Sequence, residues 1–188
     1  MAKHMTPLAP VKWCKLIGPP VPGFNKTKLE WSVCMVFSLD NKEHSDFLDS
    51  LETIYREEHG KSARKHQHYL PVKPDKDNAG QAIVTFKIQQ FSRRDGKTSE
   101  SPTIIDSNLK PWDGKLIGNG SKMQLQFDVY AWTGEAGCGI TLQPLVGMVV
   151  DLVEYVEKER GSVEDFDPVP GGYVGGMASD VDRDEIPF

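Results

Sequence analysis

The sequence predicts a mainly β protein: a small barrel with one inserted α-helix, followed by a disordered acidic C-terminal tail. Three observations carry this. Residues 29–39, 82–91 and 123–130 alternate apolar and polar side chains with period 2, the pattern of strands with one buried and one wet face. Between the first two of these, Phe47, Leu48, Leu51, Ile54 and Tyr55 recur at helical spacing. Beyond Gly161 the chain turns to glycine, proline and acids, a composition that buries too little apolar surface to fold alone.

In order along the chain, residues 11–17 read as a short first strand carrying Trp13, and Pro19, Pro20 and Pro22 then forbid helix. Residues 29–39 form a long core strand with Trp31, Val33, Met35, Phe37 and Leu39 on one face. Asn41 or Ser45 is placed to cap the helix, and Gly60 to end it. Residues 61–80 carry Lys61, Arg64, Lys65, His66, His68, Lys73 and Lys76 without periodicity and read as a mobile basic loop.

Strands resume at 82–91, where Val84, Phe86 and Ile88 oppose Thr85, Lys87 and Gln89. The Asp95-Gly96 pair makes a basic hairpin turn with Arg93, Arg94 and Lys97. A short strand at 103–106 follows, then turns at Asp113-Gly114 and Gly118-Asn119-Gly120. In the next strand Met123, Leu125, Phe127 and Val129 alternate with Gln124, Gln126, Asp128 and Tyr130. Its parity puts Tyr130 and Trp132 on the polar side, away from the core their size would favour. The last strand, 140–153, holds Pro144 and Gly147, which mark an edge or a bulge. Five or six strands with one helix point to a small barrel, of which the oligonucleotide-binding (OB) type is the leading candidate, with a β-sandwich as competitor.

Charge divides unevenly. Residues 162–188 hold seven acids against Arg183, a net −6 that leaves the first 161 residues at +1 of the chain's −5. The predicted organisation is accordingly a folded domain at 1–161 and a Gly/Pro-rich acidic tail at 162–188. Three widely spaced cysteines, Cys14, Cys34 and Cys138, suggest neither a disulfide framework nor a zinc knuckle, and fit a reducing cytosol. No apolar run is long enough for a membrane span, so neither membrane insertion nor secretion is expected.

Catalytic strings fail on inspection. The glycines of residues 114–122 have the wrong spacing for a phosphate loop, and Glu185 stands where a calcium loop needs glycine. His59, His66 and His68 lack a cysteine or carboxylate at ligand spacing, and no Ser-His-Asp or Cys-His set stands out. The residues therefore predict no catalytic group, no metal and no cofactor. What remains is Lys26, Lys28, Lys87, Arg93, Arg94 and Lys97 together with strand-end aromatics. Such a set makes a cationic groove with stacking platforms, the arrangement that binds single strands without reading sequence.

The run 104–132, IIDSNLKPWDGKLIGNGSKMQLQFDVYAW, resembles the central segment of the replicative single-stranded-DNA-binding proteins of short-tailed phages. There an Asp-Ser strand leads to Ile-Gly-Gly-Gly-Ser-Lys, an alternating strand and Tyr-x-Trp. A weaker likeness extends from Ile17 to Tyr155 and fails over 61–80. The resemblance implies an OB fold, a homodimer, and a viral protein of DNA replication, repair and recombination in the cytoplasm of the infected host. It carries the family's stacking pair to Tyr130 and Trp132, a groove arginine to Lys28 and a strand lysine to Lys87, while a second lysine is Gln89 here. The tip, Asp182, Asp184, Glu185, Ile186, Pro187 and Phe188, is similar to that of bacterial single-stranded-DNA-binding proteins. By that likeness it recruits replication proteins such as DNA polymerase and helicase-primase. Two rivals stay open: an OB-fold protein-interaction adaptor without DNA binding, and a metal-dependent nucleic-acid enzyme using the loop around His66 and His68.

Overall fold

The computed structural model describes residues 3–23, 26, 28–64, 68–91, 96–135, 137–155 and 170. Its strands are β1 (His4–Met5), β2 (Ala9–Lys15), β3 (Val21–Pro22), β4 (Leu29–Ser38), β5 (His68–Tyr69), β6 (Val72–Pro74), β7 (Gln81–Gln89), β8 (Thr103–Asp106), β9 (Lys122–Gly134) and β10 (Gly137–Asp151). The helix α1 (Lys42–His59) runs into a 3-10 turn at Gly60–Arg64. Five long strands close a ring in the order β2-β4-β7-β10-β9, and β9 returns to β2 where Ala9 faces Met123. Every join in the ring is antiparallel except that of β7 with β10. This is the small OB-type barrel expected from the alternation.

The inward residues account for closure. Val33, Met35 and Phe37 of β4, Val84 and Phe86 of β7, Met123, Leu125 and Phe127 of β9 and Leu142 of β10 are inaccessible to solvent. Burial of each such side chain contributes about 1.5–3 kcal/mol, and a slip of one residue would turn a whole set outward, so the alternation fixes the register. The longest strand, β10, meets β5 near Cys138, β7 at Leu142 and β8 from Val146 to Val149, all parallel, while β9 runs antiparallel beside its whole length. Its register with β9 shifts between Pro144 and Val146, the irregularity predicted from Pro144 and Gly147. A Cβ on Gly147 would lie 3.0 Å from both Ile104 Cδ1 and Met123 Cε, so any larger residue there would have to push these side chains aside.

The helix begins where Asn41 Oδ1 accepts the His44 N–H at 3.2 Å, and ends at Gly60 with φ 51°. Phe47, Leu51 and Tyr55 are four residues apart and make its buried stripe. Phe47 lies against Phe37 and Phe127, with ring centroids at 4.9 and 6.1 Å, and the Tyr55 hydroxyl meets Cys138 Sγ at 3.2 Å. Burial, reinforced by that contact, pushes the Tyr55 phenol up to about 12.

Three expectations change. Residues 61–80 are not a plain loop: they hold the 3-10 turn, β5 and β6, and Val72 of β6 faces Val84 of β7. Period-2 alternation cannot show in strands of two or three residues, so the sequence was silent there. Leu39 is 48% exposed because β4 stops at Ser38 and the chain turns toward Asn41. The short strand expected at 11–17 is β2, which spans Ala9–Lys15 and shifts register against β4 between Lys12 and Lys15. By packing, the chain divides into Met1–Val156 and Glu157–Phe188. In the second unit only Pro170 is among the described residues, so the predicted tip at 182–188 lies outside them.

Candidate nucleic-acid interface

The outer face of the ring carries the residues that the sequence singled out. On β9 the alternation that buries Met123, Leu125 and Phe127 turns Asp128, Tyr130 and Trp132 outward, with Tyr130 39% exposed and Trp132 half-buried. Across the antiparallel join Tyr130 faces Thr141, and Trp132 faces Gly139, which presents no side chain beside the indole. Leu142 meets Phe86 at the parallel join, so the residues just before them, Thr141 and Thr85, adjoin on the outer side. Thr85 faces Cys34 on β4, their side chains 3.5 Å apart, and Cys34 faces Lys12 on β2. One row therefore crosses the sheet from Tyr130 through Thr141, Thr85 and Cys34 to Lys12. A second row beside it runs from Lys87 through Ser32 to Lys15.

An open cleft of about 460 Å³ lies at the Trp132 end, lined by Glu58, His59, Tyr130, Ala131, Trp132 and Thr133. His59 Nε2 donates to the Gly139 carbonyl at 2.8 Å, which fixes the end of α1 against the start of β10. The helix thus builds one wall of the cleft beside the two rings.

The cations are less free than the sequence suggests. Lys87 is 41% exposed with Nζ 3.9 Å from Glu30 Oε2, and Glu30, at 12%, is nearly covered. That carboxylate sits over Gly23, where a Cβ would fall 2.6 Å from Glu30 Cδ. Lys12 Nζ donates to Asp75 Oδ2 at 3.0 Å. The Asp77 N–H on its other oxygen, and then the Lys12 ammonium, hold the Asp75 carboxyl below its usual range. Lys28 is half-buried just before β4, and its carbonyl accepts the Gly23 N–H at 2.8 Å. Arg93 and Arg94 lie outside the described residues, but the flanks of their turn do fold back: Ser99 N–H donates to the Gln90 carbonyl at 2.7 Å.

Glu30, Lys12 and Asp75 were missed by sequence reasoning. Glu30 is on the polar parity of β4 and was legible as outward, but nothing in the sequence says that it reaches Lys87 two residues along a neighbouring strand. Among the described residues no cluster of three His, Cys, Asp or Glu side chains is placed to share a metal, and no helix is long and apolar enough to cross a membrane. His66 lies outside the described residues.

Exposed rings over a polar face flanked by lysines can stack bases and hold phosphates. The chain is similar to gp2.5, a single-stranded-DNA-binding protein encoded by bacteriophage T7, with a TM-score of 0.66, 16% identity and coverage of 93% of this chain and 99% of that one. The chain has the fold of the phage single-stranded-DNA-binding proteins. It is also similar to the single-stranded-DNA-binding protein of bacteriophage Enc34 with its C-terminus truncated, at TM-score 0.59 and 13% identity over 79% of this chain and 85% of that one. The Enc34 protein in complex with single-stranded DNA aligns at TM-score 0.58 and 11% identity over 84% and 89%. No family model and no curated protein sequence matches the chain. The backbones thus follow a similar path although few side chains are shared, as expected when alternation and closure, not particular residues, define a barrel.

Proposed function

We propose that this chain is a single-stranded-DNA-binding protein of phage DNA replication, which coats and protects exposed strands without reading their sequence. The observation that supports this most is the outward placement of Tyr130 and Trp132 on a barrel whose structural neighbours are named for single-stranded DNA. Each ring offers a face that any base can use, whereas a groove reading sequence would need directed donors and acceptors. Lys28, Lys87, Arg93 and Arg94 supply phosphate contacts in this reading. The chain acts as a homodimer in the infected host's cytoplasm, helps complementary strands anneal, and serves repair and recombination by the same binding. It needs no cofactor and catalyses no step. The acidic tail competes with DNA for the cationic face, and its Ile186-Pro187-Phe188 tip docks DNA polymerase and helicase-primase once DNA has displaced it.

Titration of oligo-dT at low and high salt tests the face and the tail together. Tyr130→Ala should weaken binding by about 1–3 kcal/mol with little change in melting temperature. Trp132→Ala should weaken it similarly and also lower the melting temperature, because the indole is half-buried. Deleting residues 162–188 should strengthen binding, most at low salt, where screening is least. Full affinity in both folded aromatic variants would remove the stacking face; equal affinity with and without the tail at low salt would remove the competition.

A further inference from the structure

Trp13 is the one large aromatic of β2, and nothing above uses it. It is 58% exposed and takes no part in the buried core. Its φ of 51° is a left-handed conformation that a bulky residue seldom adopts, and it falls where the β2–β4 register shifts between Lys12 and Lys15. The bulge is held from outside: the Trp13 N–H donates to Asn119 Oδ1 at 2.8 Å, from the Gly118-Asn119-Gly120 turn. A strained backbone that keeps an indole in water points to a use for the indole. Burial does not explain it, and a glycine would satisfy the bulge without strain.

Position supplies the use. Trp13 follows Lys12, the last residue of the row that crosses the sheet through Cys34, Thr85 and Thr141 to Tyr130. Four strand-to-strand steps separate β2 from β9 along that path, on the order of 19 Å. That is about six nucleotides of a stacked single strand at 3.4 Å each. The residues between them on the row, Thr141, Thr85 and Cys34, carry small side chains. The neighbouring row places Lys15 and Lys87 alongside, where phosphates of the same strand would run. Lys15 is exposed and has no ion pair among the described residues. From these placements we infer that Trp13 is a second base-stacking platform, which receives the far end of a single strand whose near end stacks at Tyr130. This rests on the proposed reading of the outer face, and extends the contact from β9 across β10, β7 and β4 to β2.

The test uses the full chain and an oligo-dT of about 20 nucleotides, longer than the site of one OB fold. Trp13→Gly removes the ring and suits the positive φ, so the variant should melt no lower than the parent while its affinity falls about 5- to 150-fold. Its log–log salt slope should stay unchanged, because stacking releases no counterion. Trp13→Phe keeps a ring and should retain affinity within a few-fold. Parental affinity in a folded Trp13→Gly protein overturns the inference, as does a loss that Trp13→Phe does not recover. Unchanged DNA affinity with an altered sedimentation coefficient would reassign Trp13 to a contact between protein chains. The unmodified protein, titrated alongside, separates the two levels: if it fails to bind, the reading of the face fails. If it binds and Trp13→Gly binds equally, only the role of Trp13 fails.

Discussion

Glu30 should restrain DNA binding through Lys87, and Glu30→Gln should release it. The carboxylate lies 3.9 Å from Lys87 Nζ, so any phosphate that approaches the lysine meets a charge already half-spent. At this distance the attraction is about 1 kcal/mol in bulk water and about 4 kcal/mol at an effective dielectric near 20. Because Lys87 is 41% exposed, the lower figure applies. The amide keeps the shape that fits over Gly23, so packing is preserved while the charge is lost. Single-strand affinity should therefore rise about fivefold at low salt. The log–log salt slope should steepen by up to roughly 0.7, the share of one added phosphate contact. Fluorescence titration at several salt concentrations reads both quantities. In a Lys87→Ala background the effect of Glu30→Gln should shrink toward zero, as a double-mutant cycle would show. An affinity gain of the same size without Lys87 would refute the pairing as its cause. No change in either background would mean that Lys87 does not meet DNA.

Two further predictions concern stability. Asp75, held below its usual 3.8 by the Asp77 N–H and Lys12, favours the folded state above that value, and its contribution fades as acid protonates it. Asp75→Asn should therefore melt lower than the parent at about pH 7, and the gap should close below about pH 4; a gap that persists in acid would assign the effect to shape, not charge. Gly147→Ala should cost about 1–3 kcal/mol in urea unfolding, since its methyl would press on Ile104, Met123 and Leu125 within 3.1 Å. An unchanged midpoint would show that the bulge can relax.

The positions of the long elements, and the side that each turns inward, can be read from the amino-acid order. The alternation on β4, β7 and β9 leaves one consistent choice of inward side chains, and the Asn41 and Gly60 caps bound a helix whose Phe47, Leu51 and Tyr55 form one stripe. Tyr130 and Trp132 were legible as outward for the same reason: parity is a local property, carried by each strand alone. Which outward residues share a row depends instead on how distant strands pair. The parallel meeting of Leu142 with Phe86 joins β10, and β9 beyond it, to β7, and the pairing of β7 with β4 and of β4 with β2 carries the row from Tyr130 to Lys12, next to Trp13, although 117 residues separate Trp13 and Tyr130 in the chain. The pairing of β2 with β4, β4 with β7 and β7 with β6 brings Lys12 to Asp75, 63 residues away. The β2 bulge was equally hidden, since it is held by Asn119 across 106 residues and has no signature in the strand's own composition. Pairing between distant strands depends on where the ring closes, and closure is set by the whole core together, so no local pattern records it.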